Sequence, residues 1–179
     1  MMKHAGTGLI VIGALMLLFY PSLWVYGKVS QVCLHKEWQD HQSDPQGNPA
    51  PSHTFGKLMI PKLWLDQVVL QGIDPASLRE GPGHFPDTSE PGAGNCCIAG
   101  HLNIDGSPFK DLDKLRPGDV VMVQGKSNLG VYHVSSTRII YPDDVSVLKQ
   151  TGPRRLTLVT CMPGARMRYV VICRQVAVY

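Results

Sequence analysis

RRLTLVTCMPGARMRYVVICR, residues Arg154 to Arg174, is the segment whose reading decides the fold. It holds two apolar, β-branched runs, Leu156 to Cys161 and Arg168 to Val178, broken at Pro163-Gly164. Both runs alternate, so each sends one set of side chains to a core and the other set outward. Cys161 ends the first run and Arg168 opens the second. An antiparallel pair joined by a short turn therefore brings a thiol and a guanidinium together at one end of a sheet.

The rest of the chain extends this β reading. Eighteen Gly and 14 Pro punctuate short strand-like runs, and long amphipathic helical patterns are missing from the main body. A compact domain is expected from residue 56 to residue 179. GKLMIPKLWL reads as a strand pair interrupted by Pro61, followed by the apolar run DQVVLQG. Asp74-Pro75 supplies an N-cap and a Pro at the first helical position, so DPASLRE is a short helix stopped by Gly81. GPGHFPDTSEPGAG is loop by composition, and CCIAGH is a short strand ending at Gly100-His101. VVMVQG and GVYHVSSTRII both alternate, and YPDDVSVLKQTG connects them to the opening pair. About eight strands, one short helix and no βαβ rhythm predict an all-β fold, a closed or nearly closed barrel with short helices in its connections.

Residues Ala5 to Tyr26 contain no Asp, Glu, Lys, Arg or His, and roughly 20 apolar residues suffice to cross a bilayer. A cleaved signal peptide has a shorter apolar core ending in small residues, whereas this one ends in Trp24-Val25-Tyr26-Gly27-Lys28. Residues 1–27 are therefore expected to be an N-terminal transmembrane helix acting as a membrane anchor. Residues 28–55 are polar and aperiodic and read as a stalk or linker, helical up to about Gln42. His35, His41 and His53 in that segment have irregular spacing that matches no metal-ligand pattern, and read as solvated residues. A formal net charge of +3, with no run of Lys/Arg interleaved with aromatics, gives no support to nucleic-acid binding.

Three side chains suggest nucleophilic catalysis: Cys161, His101 and Arg168. A thiol at its ordinary pKa of about 8.5 is mostly protonated at neutral pH and needs a base or a cationic neighbour. An imidazole supplies either, and an Arg at the same strand end can stabilise an oxyanion. The order His, Cys, Arg differs from that of papain-like enzymes, which have Cys first.

With these residues in place the chain resembles the sortases, a family of membrane-anchored cysteine transpeptidases. The family's TLxTC motif stands here as Thr157-Leu158-Val159-Thr160-Cys161, its Arg opens the next strand as Arg168-Tyr169-Val170-Val171 does, and its His follows Ile98-Ala99-Gly100. IPKLWL, GPGHFPDTSEPGAGN, PFKDLDKLRPGD and YPDDVSVL extend the resemblance over nearly all of residues 56–179, nearest to the class D and class E types. The resemblance implies a sortase-type eight-stranded barrel. It implies Cys161 as nucleophile toward the Thr carbonyl of an LPxTG-like sorting signal, His101 as acid/base partner and Arg168 as holder of the substrate carbonyl or oxyanion. Arg166 lies in the turn, out of step with the strand. The implied partners are exported proteins carrying that signal and an amine nucleophile, a cell-wall peptide or a pilin-type lysine. The implied location is the cell membrane, N-terminus inside and catalytic domain outside. Resolution of the thioester by water, or a sortase-fold protein that only binds, are the alternatives.

Alternation assigns neighbours to the groove: Thr157 and Val159 with Cys161, Val170 and Ile172 with Arg168, and Ala99 with His101. Thr160, adjacent to the nucleophile, joins this groove set, although alternation turns its side chain to the core with Leu156 and Leu158. The position after the His is Leu102 where the family often has Arg. Cys96-Cys97 are read as buried small hydrophobes, with Cys97 on the side of His101 as a candidate redox partner of Cys161. His84 and His133 read as structural. No acidic loop has EF-hand spacing, so neither metal nor cofactor is expected.

Overall fold

The computed structural model describes residue 13 and residues 25–40, 53–104, 106–150 and 152–179. Helix α1 covers residues 25–40. It is followed by β1 (Thr54–Ile60), β2 (Leu65–Gln71), the short helix α2 (Pro75–Glu80), β3 (Gly83–His84) and β4 (Asn95–Ala99). β5 (Val120–Gln124), β6 (Leu129–Ile140), β7 (Arg155–Cys161) and β8 (Arg168–Val178) complete the chain. The eight strands close into a barrel in the order β1-β2-β3-β4-β7-β8-β6-β5.

The segment 154–174 folds as its alternation predicts. Leu156 pairs with Cys173, Leu158 with Val171 and Cys161 with Arg168 across an antiparallel ladder. Leu156, Leu158, Val171 and Cys173 point into the barrel, where they meet Ile98 of β4, Val121 and Val123 of β5, Tyr132 of β6 and Leu58 of β1. All are fully buried, and truncating one such side chain, as in Leu158→Ala, typically costs about 2–5 kcal/mol. Two junctions are parallel: β2 runs alongside β3, and β4 alongside β7. β4 and β7 lie far apart in sequence, and their pairing brings the His strand against the Cys strand.

The strand pair breaks at Pro61 as expected, but its second strand starts only at Leu65. Pro61 opens a 3-10 turn, Pro61–Leu63, that joins β1 to β2 as a hairpin. The GPGHFP segment read as loop contributes a two-residue strand, β3, that bridges β2 to β4. α2 has the expected Asp74 cap, whose carboxylate accepts from Ala76 N–H and Ser77 N–H, and the expected stop at Gly81.

The expected anchor falls largely on residues 1–12 and 14–24, outside the described residues. Among the described residues no helix is long and apolar enough to cross a membrane. Within the segment read as a solvated stalk, α1 lies against the barrel. Gln31, Leu34 and Trp38 are buried, the last two packed on Val68 and Leu70 of β2. Residues 41–52 of that segment lie outside the described residues.

His84 is the buried polar residue at the β3 bridge. Its ring stacks on Phe55 with centroids 3.7 Å apart and donates from Nε2 to the Ser89 carbonyl at 3.2 Å. Burial pushes its pKa down to about 4 from the ordinary 6.5, partly opposed by the Ser89 bond. The unfolded chain therefore binds a proton at this residue before the folded one does as pH falls. The contribution is intact above pH 6.5 and is lost progressively between pH 6.5 and about 4, with a limiting slope of roughly 1.4 kcal/mol per pH unit. Thermal melts across that window should show a falling melting temperature in the wild type and a flatter profile in His84→Phe, which keeps the ring stack and loses the titration.

Candidate active site

The β4–β7 ladder sets the site. Its parallel register runs from Asn95 with Arg155 to Ala99 with Val159. Gly100 N–H extends it by donating to the Val159 carbonyl at 3.1 Å, and the Thr160 hydroxyl donates back to the Gly100 carbonyl at 2.8 Å. Continuing this register by two residues brings His101 level with Cys161 on an adjacent strand, at the roughly 4.8 Å spacing of paired strands. Phe109 N–H then donates to the His101 carbonyl at 3.0 Å, pinning the backbone where the strand ends. Gly100 is needed at this junction because a Cβ there would lie 2.8 Å from the Phe109 ring.

Arg168 reaches Cys161 from the other side. The two are paired across the β7–β8 hairpin, and Met162 N–H donating to the Met167 carbonyl at 2.9 Å closes the turn above them. The Arg168 guanidinium donates from Nη1 to the Ala165 carbonyl at 2.9 Å and to the Met167 carbonyl at 3.3 Å. The turn thus holds the guanidinium while it remains half-buried. Arg166 is exposed in that turn. Cys161, flanked by His101 and Arg168, is itself half-exposed and carries a free thiol.

All three side chains open onto one cleft of about 330 Å³. Ala99 and Val159 line it together with Thr160, whose hydroxyl is committed to Gly100. One wall is apolar, built from Ile73 just before α2, Leu78 on α2, and Phe85. The opposite wall is the β6–β7 connection, with Pro142, Val145 and Leu148. Neither alternation nor motif spacing pointed to these walls, since they come from connections whose placement depends on long-range contacts.

Thr157, Val170 and Ile172, assigned to the groove from alternation, do not line the cleft. Thr157 is fully buried and donates to Asn95 Oδ1 at 2.8 Å, beneath the β6–β7 connection whose Val147 and Lys149 carbonyls accept from Asn95 Nδ2. Val170 is fully buried between Val159 and Arg138, and Ile172 sits four residues, roughly 13 Å, down the strand from Arg168. Alternation gives the side of the sheet on which a residue lies, and the connection decides how far the cleft extends along it. Cys97 is level with Thr157, four residues from the His101 end, and burial pushes its thiol up to about 11. It is a small buried residue and not placed to exchange with Cys161.

Comparison with known proteins gives a consistent result. The sortase domain family matches residues 58–176. Among curated proteins, sortase SrtE1 of Streptomyces coelicolor is 33% identical over 195 residues, spanning 95% of this chain and 55% of that protein. The chain thus spans about half the length of the curated relatives it matches. Among solved structures, sortase E1 of Streptomyces coelicolor, with a tripeptide in its active site, is 33% identical with a TM-score of 0.65 over 73% of this chain and 93% of that one. A Clostridium perfringens sortase D5 transpeptidase has a TM-score of 0.70 over 86% of this chain and 99% of that one; at 24% identity it speaks to the fold alone.

The hairpin geometry separates the two arginines beyond Cys161. Arg168→Ala should lower formation of an acyl adduct on Cys161 by at least about a hundredfold, the scale of a lost oxyanion donor. Arg166→Ala should stay within about threefold of wild type. Single-turnover labelling by a sorting-signal peptide, read by intact-protein mass, checks both, and the reverse ranking would overturn the assignment.

Proposed function

The chain belongs to the sortase family, and from that premise we propose that it is a cysteine transpeptidase acting on exported proteins with an LPxTG-like sorting signal. One observation carries the reading: a half-exposed thiol at a strand end, flanked by an imidazole through the β4–β7 ladder and by a guanidinium through the β7–β8 hairpin. The Cys161 thiolate attacks the Thr carbonyl carbon of the signal. The oxyanion that forms is met by the fixed positive charge of Arg168. On collapse the peptide C–N bond breaks, His101 gives a proton to the departing amine, and a thioester remains on Cys161. An incoming amine, from a cell-wall peptide or a pilin-type lysine, gives its proton to His101 and attacks the thioester. A new amide forms and the thiolate is released.

The apolar cleft supports this choice of substrate. A Leu-Pro pair buries apolar surface at about 25 cal/mol per Å², and the walls beside Cys161 are Ile73, Leu78, Phe85 and Val145. The cleft volume of about 330 Å³ falls within the range of a small-ligand site and suits a few residues of extended peptide.

We further propose that the uncharged run Ala5–Tyr26 anchors the protein once in the cell membrane, N-terminus inside, so that the barrel meets its exported substrates outside. Protease added to intact cells or spheroplasts should then digest residues 56–179, and full protection of that segment would overturn the topology.

The transfer step is separable from hydrolysis. With an LPxTG-type peptide, wild-type protein should accumulate a Cys161 acyl adduct, and added triglycine should shift products from free acid to ligated amide. Cys161→Ala should abolish both. A product ratio unmoved by the amine would make the protein a sorting-signal protease, and no adduct with a thiol-reactive substrate mimic would leave it a binding protein.

A further inference from the structure

β2 has an incomplete edge. Its β1 side is paired from Leu65 to Leu70, but β3 is two residues long and reaches only Leu70 and Gln71 on the other side. In a strand, alternate residues direct both N–H and C=O to the same edge. The groups facing the β3 side are therefore those of Asp66, Val68 and Leu70. Leu70 N–H donates to the Pro82 carbonyl at 2.8 Å. Asp66 and Val68 find no strand there, and buried backbone groups left unpaired are costly.

α1 supplies the missing partners. Gln31 Oε1 accepts from Val68 N–H at 2.9 Å, and its Nε2 donates to the Val68 carbonyl at 3.2 Å. One side-chain amide thus offers Val68 the donor and acceptor that an adjacent strand would offer. His35, one helical turn on, donates from Nε2 to the Asp66 carbonyl at 3.1 Å. Leu34 and Trp38 fill the space between helix and strand. Gln31 is only 6% exposed, so its two bonds to Val68 are shielded from water.

The same amide makes a third bond that reaches the cleft. Nε2 also donates to the Glu80 carbonyl at 2.9 Å, at the last residue of α2. The C-terminal carbonyls of a helix lack partners within it, and a helix of six residues does not hold itself together in water. α2 carries Leu78 and follows Ile73, the residues forming one wall of the cleft. Gly81 leaves room for this contact, because a Cβ at that position would run into Gln31 Nε2 and lie 3.1 Å from the Val68 carbonyl.

We propose that Gln31 is a positioning residue for the site. It completes the open edge of β2 and ties α2 to it, so that docking of the helix preceding the barrel sets the Ile73–Leu78 wall against which the substrate's apolar residues pack. This rests on the transpeptidase reading for its substrate and on the hydrogen bonds alone for its geometry. Nothing in the chemistry at Cys161 touches Gln31, so the effect falls on substrate binding.

The test uses the full chain. Gln31→Leu keeps the volume and removes all three bonds, and Gly81→Ala leaves Gln31 in place but excludes it. Each should raise KM for an LPxTG-type peptide roughly five- to tenfold with kcat within about twofold. Gln31→Glu, which keeps only an acceptor, should not restore the wild-type KM. Hydrogen exchange gives a reading independent of substrate. The amides of Leu78 in α2 and of Gly81 at its C-cap should exchange at least about tenfold faster in Gln31→Leu, while those of Leu156 and Leu158 in β7 stay unchanged. Unaltered α2 exchange overturns the proposal whatever the peptide assay gives, as does faster exchange with KM unmoved. A wild-type protein that turns over no sorting peptide strikes at the reading of function, and the exchange result then decides the positioning role by itself.

Discussion

The parallel ladder between β4 and β7 is the constraint on which the rest of the structure depends. It joins segments some sixty residues apart, and its register alone decides whether the imidazole stands beside the thiol. A slip of one residue would turn His101 to the opposite face of the sheet. Thr160 guards against that slip: its hydroxyl turns to the core side and bonds the Gly100 carbonyl where the ladder ends. The β7–β8 hairpin then adds Arg168 by purely local means, since a short turn fixes the pairing of its two flanking residues. Two of the three site residues are thus brought together by neighbouring sequence, and the third by a long-range register held with a buried hydroxyl.

That division explains what can be read from the chain and what cannot. Alternation in residues 154–174 is sufficient to send Leu156, Leu158, Val171 and Cys173 inward and to pair Cys161 with Arg168, because both follow from strand period and turn length. The parallel pairing is not legible from spacing, since nothing local in CCIAGH says which strand it meets; there the resemblance carried the inference. Thr157 shows the limit most clearly. It lies on the outer face as alternation requires, yet it is sealed beneath the β6–β7 connection and spends its hydroxyl on Asn95. Periodicity reports the side of a sheet and is silent on what covers it. α1 shows the reverse error of composition. A polar, aperiodic segment reads as solvated, but three or four residues at helical spacing are enough to dock it, and one of them is a glutamine whose burial no hydropathy pattern would suggest.

Side-chain amides recur wherever the ladders run out. Gln31 serves Val68 and Glu80 at the open edge of β2. Asn95 Nδ2 donates to the Val147 and Lys149 carbonyls, and Gln150 Oε1 in turn accepts from Asn95 N–H. Asn128 donates to the Pro91 carbonyl. Carboxamides suit this work because they carry donor and acceptor without a charge to desolvate. A barrel containing a two-residue strand leaves backbone groups unpaired, and each amide stands in for part of a missing one.

The two walls of the cleft are built by the same device, which makes them softer than the floor. The floor consists of β4 and β7, regular strands whose ladder bonds and core packing fix Cys161 and His101. Apart from Phe85, whose N–H donates to the Cys97 carbonyl at 3.0 Å, neither wall has such support. One is α2, too short to be stable alone and tied at its end by Gln31; the other is a 3-10 turn, Val145–Leu148, tied by Asn95 and by Arg155, which donates to the Val147 carbonyl at 2.9 Å. A few side-chain bonds hold each wall where ladders hold the floor, so local opening of a wall costs less than disturbance of the catalytic strands. Precision is thereby confined to Cys161 and His101, where small displacements are most costly, while the apolar surfaces around them can adjust.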